Sequence, residues 1–477
     1  MEFDHQIVKA NDIRGRYPDA IDENFAFMLG RGLVTALQAQ NVLLGRDCRL
    51  SSPALSAAVS AGVGSRGGTV DFAGLCPSEL LYYLMGTREA YDLAVMVTAS
   101  HNPGEYNGFK LIGPGGKPLT SADALSELQT WLEGAKPAGC PNADEPEPGI
   151  DPKEEYIHYV LQDFDETADI SDLKVVVDPG NGTGGILWEE LSEAIGLDPV
   201  KMNFMPDGQF PAHMPNPARL CNIEPLKSRV QEENADVGFA YDGDADRTVA
   251  VLPNGHVVDG SEMIVTLFSD LTEETEAPRP AVSMTTSRKV LDFLHDRGIE
   301  PLMVPVGHAK IKRIMRDRSD IDFGGEESGH YFYRRFFCCE SSMITTLHLL
   351  HQVAEGRLAG LLDKLPGPWE RPDPEPDFPF SDTSTALAAC RRAARQTLKT
   401  YPDPQEIMCE DEWTIMRNCT AEDIDCASGV RLDYGNWWVA LRPSGTEPLA
   451  RLAGEGRNRR DIEQKCETIS TFFPSAG

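Results

Sequence analysis

The stretch VVVDPGNGTGGILWEELSEAIG, residues 175–196, limits what the chain can fold into more than any other. Its β-branched apolar start reads as a buried strand, its Gly-rich centre as a tight loop, and its amphipathic end as a helix. The same grammar recurs in VLLGRDCRLSSPALSAAV (42–59) and AVSMTTSRKVLDFLHDRG (281–298). ADVGFAYDGDADRTVAVLPNGHVVDG (235–260) reads strand, acidic loop, strand, then a hairpin turn at Asn254-Gly255. Strands alternating with helices imply mixed α/β layers, and the three strand–loop–helix openings suggest an internal repeat. After Phe380 the pattern changes. The helix AARQTLKTY precedes VRLDYGNWWVALRPS, whose alternation reads as strand, so a small α+β module is expected there. Two Pro-rich acidic stretches, 136–153 and 365–380, read as domain boundaries.

A chain of 477 residues has room for three or four such domains. With 41% hydrophobic and 25% charged residues it has the composition of a soluble globular protein. The formal net charge of −31 argues against nonspecific binding to nucleic acid or to an anionic membrane. An anionic ligand would therefore need basic groups gathered locally. Eleven cysteines without CxxC spacing fit reduced thiols better than disulfides or a zinc site. The opening MEFDHQIVKANDIRG carries acids and lacks the apolar core of a signal peptide. No apolar run is long enough to cross a bilayer, so a cytoplasmic location is expected.

Several polar loops carry candidate chemistry. VMVTASHNPGEYNGFKLI (95–112) sets Ser100 between two strand-like runs. A hydrolase nucleophile is disfavoured, because no GxSxG elbow occurs and His101, adjacent in an extended segment, should point away. In YDGDADR, Asp242, Asp244 and Asp246 alternate with small residues, so one tight loop can turn several carboxylates toward a hard cation such as Mg²⁺. An EF-hand is excluded, since Arg247 and Pro253 stand where its Gly and Glu belong. A solvated acidic turn is the competing reading. RPSGTEP could aim backbone N–H groups, the Ser444 and Thr446 hydroxyls and the Arg442 fork at a phosphate, or be an ordinary turn. GGEESGH offers carboxylates, a hydroxyl and an imidazole suited to sugar hydroxyls; a capped helix start is its alternative. GPGGKP is a hairpin turn rather than a P-loop, because Pro118 follows Lys117. DPGNGTGG does satisfy GxGxxG, with Asp207 at a ribose-binding distance in sequence, which keeps a dinucleotide-dependent oxidoreductase in view.

Taken together and in this order, TASHNPGEYNGFK, DGDADR, GEESGH and RPSGTEP resemble the motifs of the α-D-phosphohexomutases, the phosphomannomutases and phosphoglucomutases. The resemblance implies an α/β protein of four domains around a central cleft. Three related mixed α/β domains would span 1–150, 151–258 and 259–368, and a TATA-binding-protein-like α+β domain 369–477. It implies a phosphorylated Ser100 that also serves as a ligand to one Mg²⁺ ion, beside Asp242, Asp244 and Asp246. A phosphoserine adds about −1.5 to −2 of charge, which such a cation would balance. Phosphate would pass between O1 and O6 of mannose or glucose through a hexose 1,6-bisphosphate intermediate, itself the activator. By resemblance Lys110 and His330 do acid/base work, the lysine with a lowered pKa, His101 supports the loop, and Arg247 lies beside the phosphoserine. Arg14, His308, Glu326, Ser328, Arg442, Ser444, Gly445 and Thr446 match substrate-binding positions. The partners would be small sugar phosphates, with no nucleic acid or membrane, and the enzyme a monomer or homodimer. A phosphoglucosamine mutase and a noncatalytic phosphosugar-binding protein remain the alternatives. Three departures stand out: Asn11 before DIRG where the bacterial dual-specificity members typically carry Tyr, Glu327 where they tend to carry Met, an exchange expected to be tolerated, and Cys338-Cys339-Glu340-Ser341-Ser342, for which the sequence offers no functional account.

Overall fold

The computed structural model describes residues 7–9, 11–121, 124–162, 164, 170–271, 279–372, 376–411, 414–444 and 449–473. The chain divides into two compact units, Met1–Leu271 with Ser328–Ala359, and Thr272–Glu327 with Gly360–Gly477.

In the first unit, one sheet runs Ile13–Arg16, Tyr106–Gly113, Leu93–Val97, Asn41–Arg46, Thr69–Leu75. Asn41–Arg46 is parallel to both its neighbours, whereas Tyr106–Gly113 is antiparallel to Leu93–Val97. The next sheet repeats the last four positions with Thr248–Val251, Val237–Tyr241, Val175–Asp178 and Val200–Lys201, and with the same parallel and antiparallel pairings. In the second unit Phe323–Gly325, Pro280–Ser283 and Leu302–Val304 lie parallel in the corresponding order. The chain then leaves Phe323–Gly325 through 326–330 toward Tyr331–Tyr333. The suggested repeat is therefore a shared topology. In each copy a polar loop links the third strand to the fourth, and these three loops carry Ser100, the aspartates, and GEESGH. Leu93–Val97, Val175–Asp178 and Val237–Tyr241 are buried throughout, as strands covered on both faces must be, which is why they read as continuous apolar runs.

Helices Glu23–Thr35 and Ser52–Gly64 cross so closely that a Cβ added at Gly62 would lie 2.2 Å from the carbonyl oxygen of Phe27. One at Gly30 would lie 2.3 Å from that of Val59. Backbone carbonyls cannot give way like a flexible side chain, so Gly62→Ala is expected to cost about 1–3 kcal/mol through overpacking. Urea unfolding monitored by circular dichroism checks this; an unchanged midpoint would contradict the close crossing.

The C-terminal module is a six-stranded antiparallel sheet ordered Asp377–Pro379, Leu449–Gly456, Trp437–Pro443, Gly429–Asp433, Glu406–Glu410, Ile415–Met416. Helices Thr383–Thr400 and Arg459–Ser470 pack with it, giving the expected α+β character. Val430, Leu432, Val439 and Leu441 point into its core. The intervening polar residues are buried too. Arg431 donates to the carbonyls of Met284 and Thr286 at 2.8 and 2.9 Å, and Glu455 accepts from the Arg288 N–H at 2.8 Å. Alternation here separates two buried faces rather than core from solvent. Among the described residues no helix is long and apolar enough to cross a membrane.

Candidate metal and phosphate site

Ser100 is 3% exposed and adopts φ 51°, a left-handed conformation that costs a non-glycine residue roughly 1–2 kcal/mol. Its loop is held from inside. The Thr98 hydroxyl accepts from the Ser100 N–H at 2.9 Å, and the buried guanidinium of Arg49 donates to the carbonyls of Ser100, Asn102, Pro103 and Tyr106 at 2.5–2.9 Å. Asp47 offsets that buried charge, accepting from Arg49 Nε at 2.9 Å and from the Thr98 hydroxyl at 2.8 Å.

The left-handed turn corrects one expectation. Ser100 Oγ lies 3.2 Å from His101 Nδ1, so the adjacent side chains meet rather than diverge. Burial, then the positive charges of Arg247 and Arg14, hold this imidazole well below the ordinary histidine pKa. Ser100 Oγ also donates to Asp242 Oδ2 at 2.8 Å.

Asp242, Asp244 and Asp246 lie in the connection between the paired strands Val237–Tyr241 and Thr248–Val251. All three are buried, with one oxygen from each within 4.8 Å of the others. Burial and the neighbouring carboxylates push Asp242 up to about 8. Asp244 Oδ1 is buried without a hydrogen-bond partner. An all-oxygen, electrostatically crowded cluster with an unsatisfied carboxylate oxygen fits a hard divalent cation.

Lys110 Nζ reaches Asp244 Oδ2 and Asp246 Oδ2, each at 2.5 Å. Burial alone would lower its pKa, but Asp244, Asp246 and Asp242 outweigh burial and raise it. The expected lowered lysine pKa is therefore reversed in this arrangement, where the amine is held as an ammonium. The Ser78 hydroxyl donates to Asp244 Oδ2 at 2.6 Å. Arg247 Nε lies 3.6 Å from Asp242 Oδ2 and 3.3 Å from His330 Nε2. His330 is also 3.4 Å from Asp246 Oδ1, and its Nδ1 meets Ser328 Oγ at 2.9 Å. Arg14 donates to Asn102 Oδ1 at 2.8 Å and pairs with Asp12 at 2.6 Å. The first unit thus gathers Ser100, His101, Lys110, Asp242, Asp244, Asp246, Arg247, Ser328, His330 and Arg14 around one loop pair.

The second unit holds the others. Glu326 Oε1 accepts from the Gly307 N–H at 2.7 Å, directly before His308, which begins helix His308–Asp317. This ties the GEESGH and VGHAKIK loops together, and no helix begins within GEESGH. Arg442 lies near the end of strand Trp437–Pro443, and the buried Ser444 follows, its N–H donating to the Leu449 carbonyl at 2.7 Å. Gly445 and Thr446 lie outside the described residues. Glu327, one of the departures from the family motif, pairs with Arg371, which also donates to the Thr285 carbonyl at 2.8 Å.

Two sequence puzzles resolve. Gly182 of the GxGxxG pattern packs on the aspartate loop, where an added Cβ would lie 2.8 Å from the Gly243 carbonyl. Asp207 closes a local turn, accepting from the Gln209 N–H at 2.9 Å. These glycines let two loops approach, and the dinucleotide reading loses its support. In the 338–342 stretch, Ser341 caps helix Ser342–Ala354, and the Ser342 hydroxyl donates to the buried Glu79 at 2.6 Å. Glu79 follows Ser78, so the segment packs behind the aspartate loop. Asp47, Arg49, Thr98 and Ser78 were not singled out from sequence. The charged pair flanking Cys48 was the available signal, but nothing in it points to the serine loop.

A repeated α/β topology with a candidate metal centre at one loop corner defines the class of protein. Residues 5–133, 154–255 and 259–367 match, in turn, the profiles described as phosphoglucomutase/phosphomannomutase alpha/beta/alpha domains I, II and III. The chain is 32% identical over 473 residues to phosphohexose mutases of Xanthomonas campestris, covering 98% of each chain. It is 30% identical to the phosphomannomutase of Escherichia coli strain K12, again covering 98% of each. A solved phosphoglucomutase/phosphomannomutase family protein from Burkholderia thailandensis superposes with a TM-score of 0.79 at 26% identity, covering 98% of this chain and 97% of that one. The chain belongs to the phosphoglucomutase/phosphomannomutase family and is an enzyme of the mutase, or isomerase, class.

Proposed function

We propose that the protein interconverts the 1- and 6-phosphates of mannose and/or glucose through phosphorylated Ser100 and a hexose 1,6-bisphosphate. The observation that carries this reading is Ser100 Oγ, 2.8 Å from Asp242 Oδ2 beside a buried carboxylate triad. The donor set suits Mg²⁺, which would supply charge neutralisation and polarisation of the phosphoryl group.

The chain's own residues do the rest. The free hydroxyl of the bound hexose phosphate attacks phosphorus, a new sugar O–P bond forms, and the bond to Ser100 Oγ breaks. His330 takes the proton of the attacking hydroxyl, the Lys110 ammonium gives one to the released Ser100 Oγ, and Arg247 bears the developing phosphoryl charge. Neutral His101 hydrogen-bonds the released serine. The bisphosphate then returns its other phosphate to Ser100, which restores the enzyme. Glu326, Ser328 and His308 are suited to sugar hydroxyls, while Arg442 and Ser444, with Gly445 and Thr446, match the loop that grips the non-transferring phosphate. Arg442→Ala is accordingly expected to raise KM for the sugar phosphate by about 10-fold or more with a smaller fall in kcat. Steady-state kinetics check it; an unchanged KM would remove Arg442 from the phosphate grip.

The test of the reading is ³¹P NMR with Mg²⁺ and a trace of glucose 1,6-bisphosphate, with the 1-phosphates of mannose, glucose and glucosamine in separate tubes. A growing 6-phosphate signal from mannose or glucose is expected. Conversion of glucosamine 1-phosphate alone would overturn the substrate assignment, and silence in all three would overturn the hexose reading.

A further inference from the structure

We propose that Arg49 is a positioning residue for phosphoryl transfer, setting the orientation of Ser100 through the backbone of its loop; the proposal rests on the phosphoserine reading above. Arg49 is fully buried, and its fork is spent on the serine loop and its one counter-charge. Nε binds Asp47 at 2.9 Å, Nη1 the carbonyls of Pro103 and Tyr106 at 2.5 and 2.9 Å, and Nη2 those of Ser100 and Asn102 at 2.7 Å each. The carbonyls of Ser100 and Asn102 flank His101, and one guanidinium nitrogen holds both.

A scaffold is needed at this point. Ser100 stands in the left-handed region without being glycine, so the loop must be held there by its surroundings. The planar fork fixes direction as well as distance, which an ammonium on a flexible stem does not do. Asp47 in turn binds the Thr98 hydroxyl at 2.8 Å and the Ser52 hydroxyl at 2.6 Å, so the Arg49–Asp47 pair joins the serine loop to the start of helix Ser52–Gly64. Arg49 touches neither Ser100 Oγ nor Asp242, Asp244 or Asp246 in these contacts. Its influence on transfer therefore runs through the loop, and a misplacement near 1 Å can slow a reaction by about 100-fold.

Two variants test the assignment. Arg49→Lys keeps the charge opposite Asp47 and loses the fork. The double variant Arg49→Met/Asp47→Asn removes the buried charge pair together, which avoids leaving Asp47 uncompensated. Folding is read by circular dichroism melting. Phosphorylation of Ser100 by glucose 1,6-bisphosphate is timed by intact mass, and kcat and KM are measured on whichever hexose phosphate the wild-type enzyme turns over. The expected result is a folded variant with phosphorylation and kcat slowed by about 10–100-fold and KM within about twofold of wild type. A folded variant that is phosphorylated as fast as wild type overturns the role of Arg49 while leaving the phosphoserine reading intact. A KM that rises as much as kcat falls also overturns it. If neither variant folds, Arg49 belongs to the fold alone, and the positioning role is overturned. Wild-type protein that takes no phosphate from the bisphosphate overturns the phosphoserine reading, and this assignment with it.

Discussion

Ser100→Ala is expected to lower kcat by on the order of 10⁴-fold or more, because no other described hydroxyl donates to the carboxylate triad from the same position. The only other side-chain hydroxyl hydrogen-bonded to a triad carboxylate among the described residues is that of Ser78, on Asp244. Alanine removes the acceptor of the phosphoryl group and little else. Arg49 grips the Ser100 backbone carbonyl, which the substitution leaves in place. Sugar-phosphate affinity should therefore stay within a few-fold of wild type, since Glu326, His308 and Arg442 are untouched. Isothermal titration with a hexose phosphate, run beside the turnover assay, separates the two. Retained turnover would end the phosphoserine account; lost binding would mean that Ser100 holds the sugar rather than the phosphoryl group.

Asp244→Asn carries the second large effect. The amide preserves shape, while one carboxylate leaves a buried cluster of three. The Ser78 hydroxyl keeps an acceptor, so the helix Ser78–Thr87 should stay docked. The site loses both charge and a strong oxygen ligand, and divalent-cation affinity is expected to fall by on the order of 100-fold or more, with activity at limiting Mg²⁺ falling in parallel. Mn²⁺ binding followed by electron paramagnetic resonance reads this without turnover. Chelation of the wild-type enzyme should likewise abolish activity reversibly. Wild-type cation affinity in Asp244→Asn would take Asp244 out of the ligand set.

How much of this was legible beforehand depended on the range of each interaction. Strand, loop and helix are local, so 175–196 announced its structure in its own composition. The DGDADR loop was legible for the same reason, since alternating aspartates in a tight turn converge whatever surrounds them. The Ser100–His101 contact was not, because it turns on the sign of one φ angle that serine rarely adopts. Arg49 was illegible for a different reason: its four carbonyl acceptors lie 51 to 57 residues further along the chain. Glu327 read as a tolerable departure from the motif, and its ion pair with Arg371 was not legible because the partner is remote in sequence. For the lysine, proximity to a metal was weighed without the neighbouring aspartates, which in the arrangement seen raise its pKa rather than lower it. GxGxxG kept a minor alternative open for a related reason. Glycines that admit a pyrophosphate and glycines that admit a neighbouring loop leave the same trace in a sequence.

The central claim is that Ser100 carries the phosphate in transit. Mass spectrometry of the peptide containing Ser100 tests it most directly, after incubation with glucose 1,6-bisphosphate and again after a chase with excess hexose phosphate. The account predicts phosphate on Ser100 before the chase and its exchange with the sugar pool during it, at a rate no slower than turnover. Interconversion of hexose 1- and 6-phosphates with Ser100 never phosphorylated would contradict it.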